Sequence, residues 1–164
     1  MIPFIKEEIT RMLKNCTPVV TGSHFVYSSG KHGPDYVDKR ALSQNPIVAS
    51  RLGLAMMQQW DGDRPSVIAA PASGAIPFGQ LLALQYCLQG PRVKSVYAEK
   101  TLNGFQFVGG YDQTVREEPT LIVEDILTTG ESARRMVATV RQAGGNLIGL
   151  VAIANRGGVT AEFL

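Results

Sequence analysis

The stretch that decides the fold is Thr120-Leu-Ile-Val-Glu-Asp-Ile-Leu-Thr-Thr-Gly-Glu-Ser132. Its apolar opening, residues 121–123, has the length and β-branched content of a buried parallel strand. Glu124 and Asp125 follow side by side at the predicted carboxyl end of this strand, and a hydroxyl-rich turn occupies residues 128–132. Behind the turn, apolar side chains recur at the spacing of an α-helix: Ala133, Met136, Val137, Val140 and Ala143.

This order of strand, acidic pair, hydroxyl turn and helix favours a site for a sugar phosphate. Backbone N–H groups at a helix start attract anions, and threonine and serine hydroxyls add donors. The carboxylates can hold ribose hydroxyls or help to hold a divalent cation. Thr128 and Glu131 also fit a helix capping box, in which case part of the run only starts the helix. A cap does not need two carboxylates, so we favour the phosphate interpretation.

Bulk composition narrows the function classes. The chain has 164 residues, which suits one domain over residues 1–164, with 45% hydrophobic and 18% charged residues. A net charge of +2 with scattered basic residues argues against a nucleic-acid or membrane partner. Cys16 and Cys87 are isolated thiols, typical of a reducing compartment. We therefore expect a cytoplasmic protein with no signal peptide and no membrane span.

From residue 45 onward, predicted strands and helices alternate. Strands are predicted at 66–70, 93–97, 121–123 and 147–154, and helices at 46–60, 75–88 and 133–143. This pattern predicts an α/β fold with a parallel sheet flanked by helices. Residues 1–44, the N-terminal hood, do not alternate. They predict a helix at 5–13 and short strands at 24–28 and 35–38, joined by a turn, attached to the α/β core of residues 45–164.

In open α/β sheets, ligands bind beyond the carboxyl ends of the strands. Small residues at 70–75 would let backbone N–H groups approach an anion closely. Lys100 could neutralise phosphate, and Arg156 offers a donor fork suited to a carboxylate or phosphate. Residues 101–111 are a candidate lid. His24 and His32 could hold a metal, but a positive ligand-facing turn of Lys31 and His32 is the better interpretation.

Residues 120–132 resemble the phosphoribosyl-diphosphate (PRPP) motif of the type I phosphoribosyltransferases. In that motif an apolar strand precedes two acids, two small apolar residues and Thr-Thr-Gly-x-Ser. Within this family the closest resemblance is to the orotate phosphoribosyltransferases. Four segments carry it: His24-Phe-Val-Tyr-Ser-Ser-Gly-Lys-His-Gly-Pro-Asp-Tyr-Val-Asp-Lys-Arg40, which is similar to the hood of those enzymes, together with residues 70–75, 120–132 and 152–156.

The resemblance implies a homodimeric enzyme that transfers phosphoribosyl from PRPP to orotate, giving orotidine 5′-phosphate and diphosphate. It also implies Mg²⁺ as cofactor, held near Asp125 mainly through PRPP and water, with Lys100 and Asp125 as catalytic residues. Orotate would contact Lys31, His32, Thr128 and Arg156. PRPP would contact Ala72, Ser73, Gly74, Glu124, Asp125, Thr128, Thr129, Gly130, Glu131 and Ser132.

One departure keeps other functions open. Many orotate enzymes carry further basic residues in the lid after the first lysine, whereas this chain has Asn103 and Phe105 at those positions. A phosphoribosyltransferase for another base therefore remains an alternative. So does a non-catalytic PRPP-binding regulator or partner subunit built on the same fold.

Overall fold

The structure is a computed structural model that describes residues 11, 15, 19–27, 30 and 32–163. The predicted helix at 5–13 lies almost wholly outside these residues. In chain order the strands are β1 Val19–Val20, β2 Phe25–Val26, β3 His32–Gly33, β4 Tyr36–Val37, β5 Val67–Pro71, β6 Lys94–Thr101, β7 Gly104–Phe107, β8 Pro119–Leu127 and β9 Asn146–Asn155. The helices are α1 Lys39–Ser43, α2 Pro46–Gln59, α3 Ile76–Gln89, α4 Tyr111–Val115 and α5 Glu131–Gln142, followed by a 3₁₀ turn at Ala161–Phe163.

A five-stranded sheet in the order β7-β6-β5-β8-β9 forms the core. Strands β5, β6, β8 and β9 run parallel to their neighbours, and only β7 is antiparallel, as the second arm of a hairpin with β6. The predicted parallel α/β sheet is confirmed. From β5 the chain adds β6 on one side and β8 on the other, so the sheet changes winding direction between β5 and β8.

The two faces of the sheet carry separate apolar layers because side chains alternate along a strand. Ile68, Leu121 and Val123 pack with α2 and α3 on one face. Val67, Ala69 and Ile122 pack with α5 on the other. Each of these strand residues is fully buried, and burying a side chain of valine or leucine size stabilises a fold by about 1.5–3 kcal/mol.

Local sequence signals set the helix starts. The Asn45 side chain accepts hydrogen bonds from the Ile47 and Val48 N–H groups at 3.1 and 3.3 Å, and Pro46 occupies the first turn of α2. In α5 the buried residues include four of the five apolar positions that the helical spacing marked, together with one threonine: Ala133, Met136, Val137, Thr139 and Val140. Within the part of the chain that the structure describes, no helix combines the length and hydropathy needed to cross a membrane.

Two strands are longer than predicted, for one physical reason. Strand β8 loses its partner β5 after Ile122 but continues beside β9 as far as Leu127. The acidic pair therefore lies inside β8, and not beyond a strand ending at residue 123. Strand β6 likewise continues to Thr101 because β7 supplies its backbone partners, which places Lys100 within a strand. The candidate lid of residues 101–111 thus contains β7 and reaches the first residue of the short helix α4.

The described part of the hood contains two small antiparallel ribbons, followed by α1. Strand β1 pairs with β4, and β2 pairs with β3. The predicted strands near 24–28 and 35–38 exist in shorter form, but each pairs with a partner that the sequence did not reveal. Phe25 stacks on Tyr36, with ring centroids 5.4 Å apart, and joins the two ribbons.

Helices α2 and α3 cross at a glycine, and this contact gives the first prediction. A Cβ at Gly53 would lie 3.0 Å from the Leu81 carbonyl carbon and 3.1 Å from its oxygen, and backbone atoms cannot turn aside. Gly53→Ala should therefore lower the free energy of unfolding by roughly 1–3 kcal/mol. Chemical denaturation measures this, with Gln59→Ala on the exposed end of α2 as the control. Equal stability of the two variants would contradict the close crossing.

Candidate active site

A cavity of about 640 Å³ lies at the carboxyl ends of the strands, where β5 and β8 separate. This is the place where ligands bind in open α/β sheets. The hood and α1 contribute one wall, the β6–β7 hairpin a second, and β8 with the start of α5 the floor. The lining residues are Val26, Tyr27, Tyr36, Lys39, Ala72, Lys100, Gly104, Phe105, Glu124, Asp125, Ile126, Thr128, Glu131, Ser132, Arg135 and Arg156.

Two adjacent buried carboxylates form the floor of this cavity. Glu124 is 4% exposed and Asp125 is 7% exposed. Neighbouring side chains in a strand point to opposite faces of the sheet. Glu124 accordingly points toward the α5 side, and Asp125 toward the side of α1 and α3. Each acid therefore meets a different set of partners.

Glu124 accepts a hydrogen bond from the Ser132 hydroxyl, Oγ to Oε1, at 2.8 Å. Burial raises the pKa of Glu124 from an ordinary 4.5 to about 7, because removal from water disfavours the charged form. The Ser132 hydrogen bond opposes this pKa rise, whereas the negative charge of Asp125 adds to it. Near neutral pH this carboxyl group can therefore either hold or release a proton.

Asp125 has a cation as its partner instead. Its Oδ2 lies 2.6 Å from the Lys39 Nζ, and its Oδ1 accepts the Ile126 N–H at 2.6 Å. The ion pair joins residues 86 positions apart in the chain. The hood side of the site is thereby connected to the sheet.

The hydroxyl turn leads into α5 without a capping box. The N-cap of α5 is Gly130, in the left-handed region at φ 74°, and it has no side chain to accept a hydrogen bond. Thr129 Oγ1 accepts only a long hydrogen bond, 3.4 Å, from the Glu131 N–H. Glu131 pairs with Arg135 at 2.8 Å, one helical turn on. The capping-box interpretation is wrong, and the start of α5 can receive an anion from the cavity.

The loop between β5 and α3 reaches the acidic pair. The Ala72 N–H donates to the Ala98 carbonyl at 2.9 Å, and the Ala72–Ser73 peptide bond is cis. A Cβ at Gly74 would overlap the Asp125 carboxylate and lie 2.6 Å from the Lys39 Nζ. A residue without a side chain is thus required for this close approach.

On the opposite side, Arg156 follows the end of β9. Its guanidinium carbon lies 4.1 Å from the ring centroid of Tyr27, a cation–π contact. The Tyr27 hydroxyl donates to the Asp35 carbonyl at 2.6 Å, which fixes the ring. The exposed Arg156 side chain is therefore oriented by the hood while its donors stay available to the cavity.

The structure brings most of the predicted site residues together. Eight of them line the cavity, and Ser73, Gly74, Thr129 and Gly130 lie in the loops that adjoin it. Lys31 lies outside the described residues. His32 is not among the described residues that line the cavity, since its Nδ1 is hydrogen-bonded to the His24 Nε2 at 2.8 Å. The eight lining residues are Ala72, Lys100, Glu124, Asp125, Thr128, Glu131, Ser132 and Arg156.

Sequence reasoning missed Lys39, Tyr27 and Arg135. Lys39 stands beside Arg40 in a polar stretch, and no local spacing marks it as the partner of an acid far along the chain. Tyr27 lies in a segment that the sequence predicted only as a short strand, with no sign of a role in the site. Arg135 is four residues after Glu131, a helical spacing that does predict their ion pair but not the place of Arg135 in a cavity wall.

Comparisons with known proteins support one family. No family model matches the chain. It is 32% identical over 141 residues to an orotate phosphoribosyltransferase of Caulobacter vibrioides, covering 85% of this chain and 70% of that protein. With an orotate phosphoribosyltransferase of Thermus thermophilus it shares 29% identity over 147 residues, covering 90% of this chain and 78% of that protein.

A solved structure agrees with these relatives. The fold matches a crystal structure of Mycobacterium tuberculosis orotate phosphoribosyltransferase with a TM-score of 0.68 and 25% sequence identity. The match covers 91% of this chain and 83% of the crystallised chain. Together with the motif in β8 and the cavity at its end, these similarities show that the chain belongs to the orotate phosphoribosyltransferase family of type I phosphoribosyltransferases.

Proposed function

We propose that this protein transfers the phosphoribosyl group of PRPP to orotate. The observation that carries the proposal is the combination found in one cavity. A buried acidic pair lies between an uncapped helix start and a glycine-containing loop, and the Arg156 guanidinium is oriented at the same cavity. Two phosphate-binding elements with carboxylates between them match a ligand that carries phosphate at both ends of a ribose.

The 5′-phosphate of PRPP would lie on residues 128–132. There the first N–H groups of α5 and the hydroxyls of Thr128, Thr129 and Ser132 supply donors. The ribose hydroxyls would donate to Glu124 and Asp125. The diphosphate would then reach the loop of residues 72–74, whose small side chains permit close backbone approach. Each charge-assisted hydrogen bond of this kind contributes about 1.5–3 kcal/mol.

The donor set also fits Mg²⁺. Among the described residues no group of three or more His, Cys, Asp or Glu side chains could hold a metal by itself. Mg²⁺ usually keeps several waters and is bound through one or two carboxylates plus substrate phosphates. Asp125, with Glu124 beside it, supplies that share of the ligands, and the bound ion would offset charge on the diphosphate.

The difficult step is cleavage of the bond between ribose C1 and the diphosphate oxygen. The bonding electrons leave with the diphosphate while positive charge grows on the ribose, and a ring nitrogen of orotate then bonds to C1. Electrostatic stabilisation and exclusion of water serve this step best. Lys100, exposed on β6 and lining the cavity, can neutralise the leaving diphosphate.

Arg156 is suited to recognising the substrate base through the carboxylate of orotate. Orotate differs from uracil by a carboxylate, so a site that prefers orotate needs a cation there. A guanidinium can donate two parallel hydrogen bonds to a carboxylate, which an ammonium cannot. Stacking on Tyr27 aims this fork across the cavity.

The experiment that tests the proposal is diphosphate release by purified protein with PRPP and Mg²⁺ against a panel of bases. Orotate should be consumed fastest. Faster consumption of uracil, hypoxanthine or adenine would make the protein a phosphoribosyltransferase for another base. Binding of PRPP without consumption of any base would instead favour the non-catalytic regulator or partner subunit.

Substitutions of two cavity cations should affect different steps: one should impair recognition of the base, and the other should impair departure of the diphosphate. Lys100→Ala should lower kcat at least tenfold, because the leaving group loses a counter-charge, while the orotate KM changes little. Arg156→Lys should raise the orotate KM at least tenfold and leave PRPP binding nearly unchanged. Steady-state kinetics measure both, and each variant is the other's control. Both side chains are exposed, so unchanged melting temperatures are expected, and the same kinetic defect in both would contradict the assignment.

The raised pKa of Glu124 makes stability depend on pH. The unfolded chain releases this proton near pH 4.5, whereas the folded protein holds it until about pH 7. The contribution of Glu124 to the free energy of unfolding is therefore largest below pH 4.5 and is lost as pH rises to about 7, by at most about 3 kcal/mol. Relative to Glu124→Gln, the wild type should lose stability between pH 5 and pH 8 in denaturant titrations. Glu99→Gln, at an exposed residue, is the control and should not show this difference. If the stability difference between the wild type and Glu124→Gln stays constant from pH 5 to pH 8, the raised pKa of Glu124 is refuted.

The homodimer that the resemblance implies has a candidate surface on the outer side of α2 and α3. Ile47 is 72% exposed and Leu88 is 70% exposed, with Leu84 one turn before it at 46%. The Gln85 side chain bonds the Ser50 hydroxyl at 3.0 Å, and Gly53 meets Leu81, so the two helices run antiparallel. Extending this register brings Ile47 toward Leu88. We propose that a second copy of the chain covers this apolar patch.

Light scattering tests this surface. Leu88→Glu places a charge in the patch and should convert dimer to monomer at micromolar concentrations. Gln89→Glu adds the same charge at the next exposed position without removing an apolar side chain, and it should leave the dimer intact. A monomeric wild type, or a Leu88→Glu protein that remains dimeric, would place the interface elsewhere or exclude it.

A further inference from the structure

Lys39 occupies a position in the site that neither the motif nor the comparisons assign. It is the first residue of α1, whose N-cap Asp38 accepts the Arg40 N–H at 3.0 Å. Leu42 of the same short helix is 1% exposed and anchors it in the core. The neighbouring Arg40 turns back to Asp38 at 3.2 Å and does not line the cavity. Of the two adjacent cations, only Lys39 reaches the ligand space.

The Lys39 ammonium lies between the two places where PRPP would carry charge. On one side it pairs with Asp125 at 2.6 Å, and Asp125 would receive ribose hydroxyls. On the other side it lies against the loop at Gly74, where an added Cβ would approach the Nζ to 2.6 Å. That loop is the proposed diphosphate site. A diphosphate seated there would bring its negative oxygens to the ammonium.

The Lys39 side chain can also change partners. It is 44% exposed, whereas that of Asp125 is 11% exposed, so the lysine is the mobile partner and the carboxylate the buried one. An ammonium on a flexible four-carbon chain accepts several geometries, unlike a planar guanidinium. Because residue 74 is a glycine, the space between Asp125 and the loop is open to the lysine side chain.

We propose that Lys39 is a diphosphate-binding residue that exchanges partners: it neutralises Asp125 in the free protein and turns to the diphosphate oxygens when PRPP binds. The exchange releases Asp125 for the ribose hydroxyls and for Mg²⁺. It also supplies a cation from the hood to a loop that carries no basic side chain of its own between residues 70 and 75. This inference rests on the proposed PRPP site and adds a residue to it.

Calorimetry with two fragments of the substrate tests the exchange. Lys39→Met should weaken binding of Mg²⁺-free inorganic diphosphate about ten- to a hundredfold, the loss expected for one or two charge-assisted hydrogen bonds. Binding of ribose 5-phosphate, which lacks the diphosphate, should change less than twofold. Arg40→Met removes an equal charge from the next residue of α1 and should leave both affinities unchanged.

A second background separates diphosphate binding from a merely structural ion pair. In Asp125→Asn protein, Lys39 has lost its ion-pair partner, so Lys39→Met no longer leaves the buried charge of Asp125 unpaired. The loss of diphosphate affinity should persist in this background. If the loss of diphosphate affinity disappears in the Asp125→Asn background, Lys39 is only a counter-ion and the proposal is overturned. Equal losses of affinity for diphosphate and ribose 5-phosphate would overturn it as well.

The outcomes for Lys39 and for the enzyme activity are distinct. If wild-type protein binds diphosphate and PRPP but consumes no orotate, the proposed activity fails and the fragment experiment still decides the role of Lys39. If orotate is consumed and Lys39→Met binds diphosphate normally, the Lys39 proposal fails alone. Failure of the wild type to bind either diphosphate or PRPP would overturn both.

Discussion

Two neighbouring carboxylates are buried where β8 has lost one of its partner strands, and the rest of the site is arranged around them. Buried carboxylates without partners are costly, so each must be protonated, hydrogen-bonded or paired with a cation. The strand alternation sends Glu124 and Asp125 to opposite faces of the sheet. One acid therefore draws on α5 and the other on the hood. The acidic pair thus links β8 and the adjoining α5 to the hood, whose Lys39 lies 86 positions away from Asp125 in the chain.

The two acids use these partners differently. Glu124 accepts a hydrogen bond from the neutral Ser132 hydroxyl, and burial raises its pKa to about 7 although the Lys39 charge opposes the rise. Asp125 has the Lys39 ammonium and a backbone N–H. Adjacent residues of the same chemical type thus enter the ligand-free site in different electrostatic environments. The two hydroxyls of a ribose would therefore contact one acid whose pKa lies near neutral pH and one acid that is already paired with a cation.

Close backbone approaches hold the loops around this pair. Gly74 admits the Lys39–Asp125 pair against the loop between β5 and α3. At the other end, a Cβ at Gly157 would overlap the Thr128 carbonyl, and both the Arg156 and Gly157 N–H groups donate to the Leu127 carbonyl at 2.9 and 3.2 Å. Arg156 is therefore held by backbone contacts to the same loop that would receive the 5′-phosphate. In the proposed function, base recognition and phosphate binding would therefore share this junction.

The sequence by itself determined the parallel α/β core and the acidic pair followed by a helix. These features have short-range periodic signals: apolar strand runs, helical spacing in α5, and small residues after a strand. It also indicated Arg156 and Lys100, because residues at the carboxyl ends of parallel strands converge whatever the details of packing. The ends predicted for β6 and β8 were wrong by four residues each, since these strands continue only where β7 and β9 supply backbone partners.

Only the tertiary structure decided which side chains meet. The Lys39–Asp125 pair spans 86 residues, and Tyr27 reaches Arg156 across nearly the whole chain. Nothing in the local pattern of the hood distinguishes Lys39 from Arg40 or shows how the four short strands pair. Those choices depend on where α1 and the ribbons pack against the core, and contacts between distant segments leave no periodic trace in a single sequence. The chain sequence specified the strand, the acidic pair and the helix start of the candidate site, and packing of the hood placed Lys39 and Tyr27 beside them.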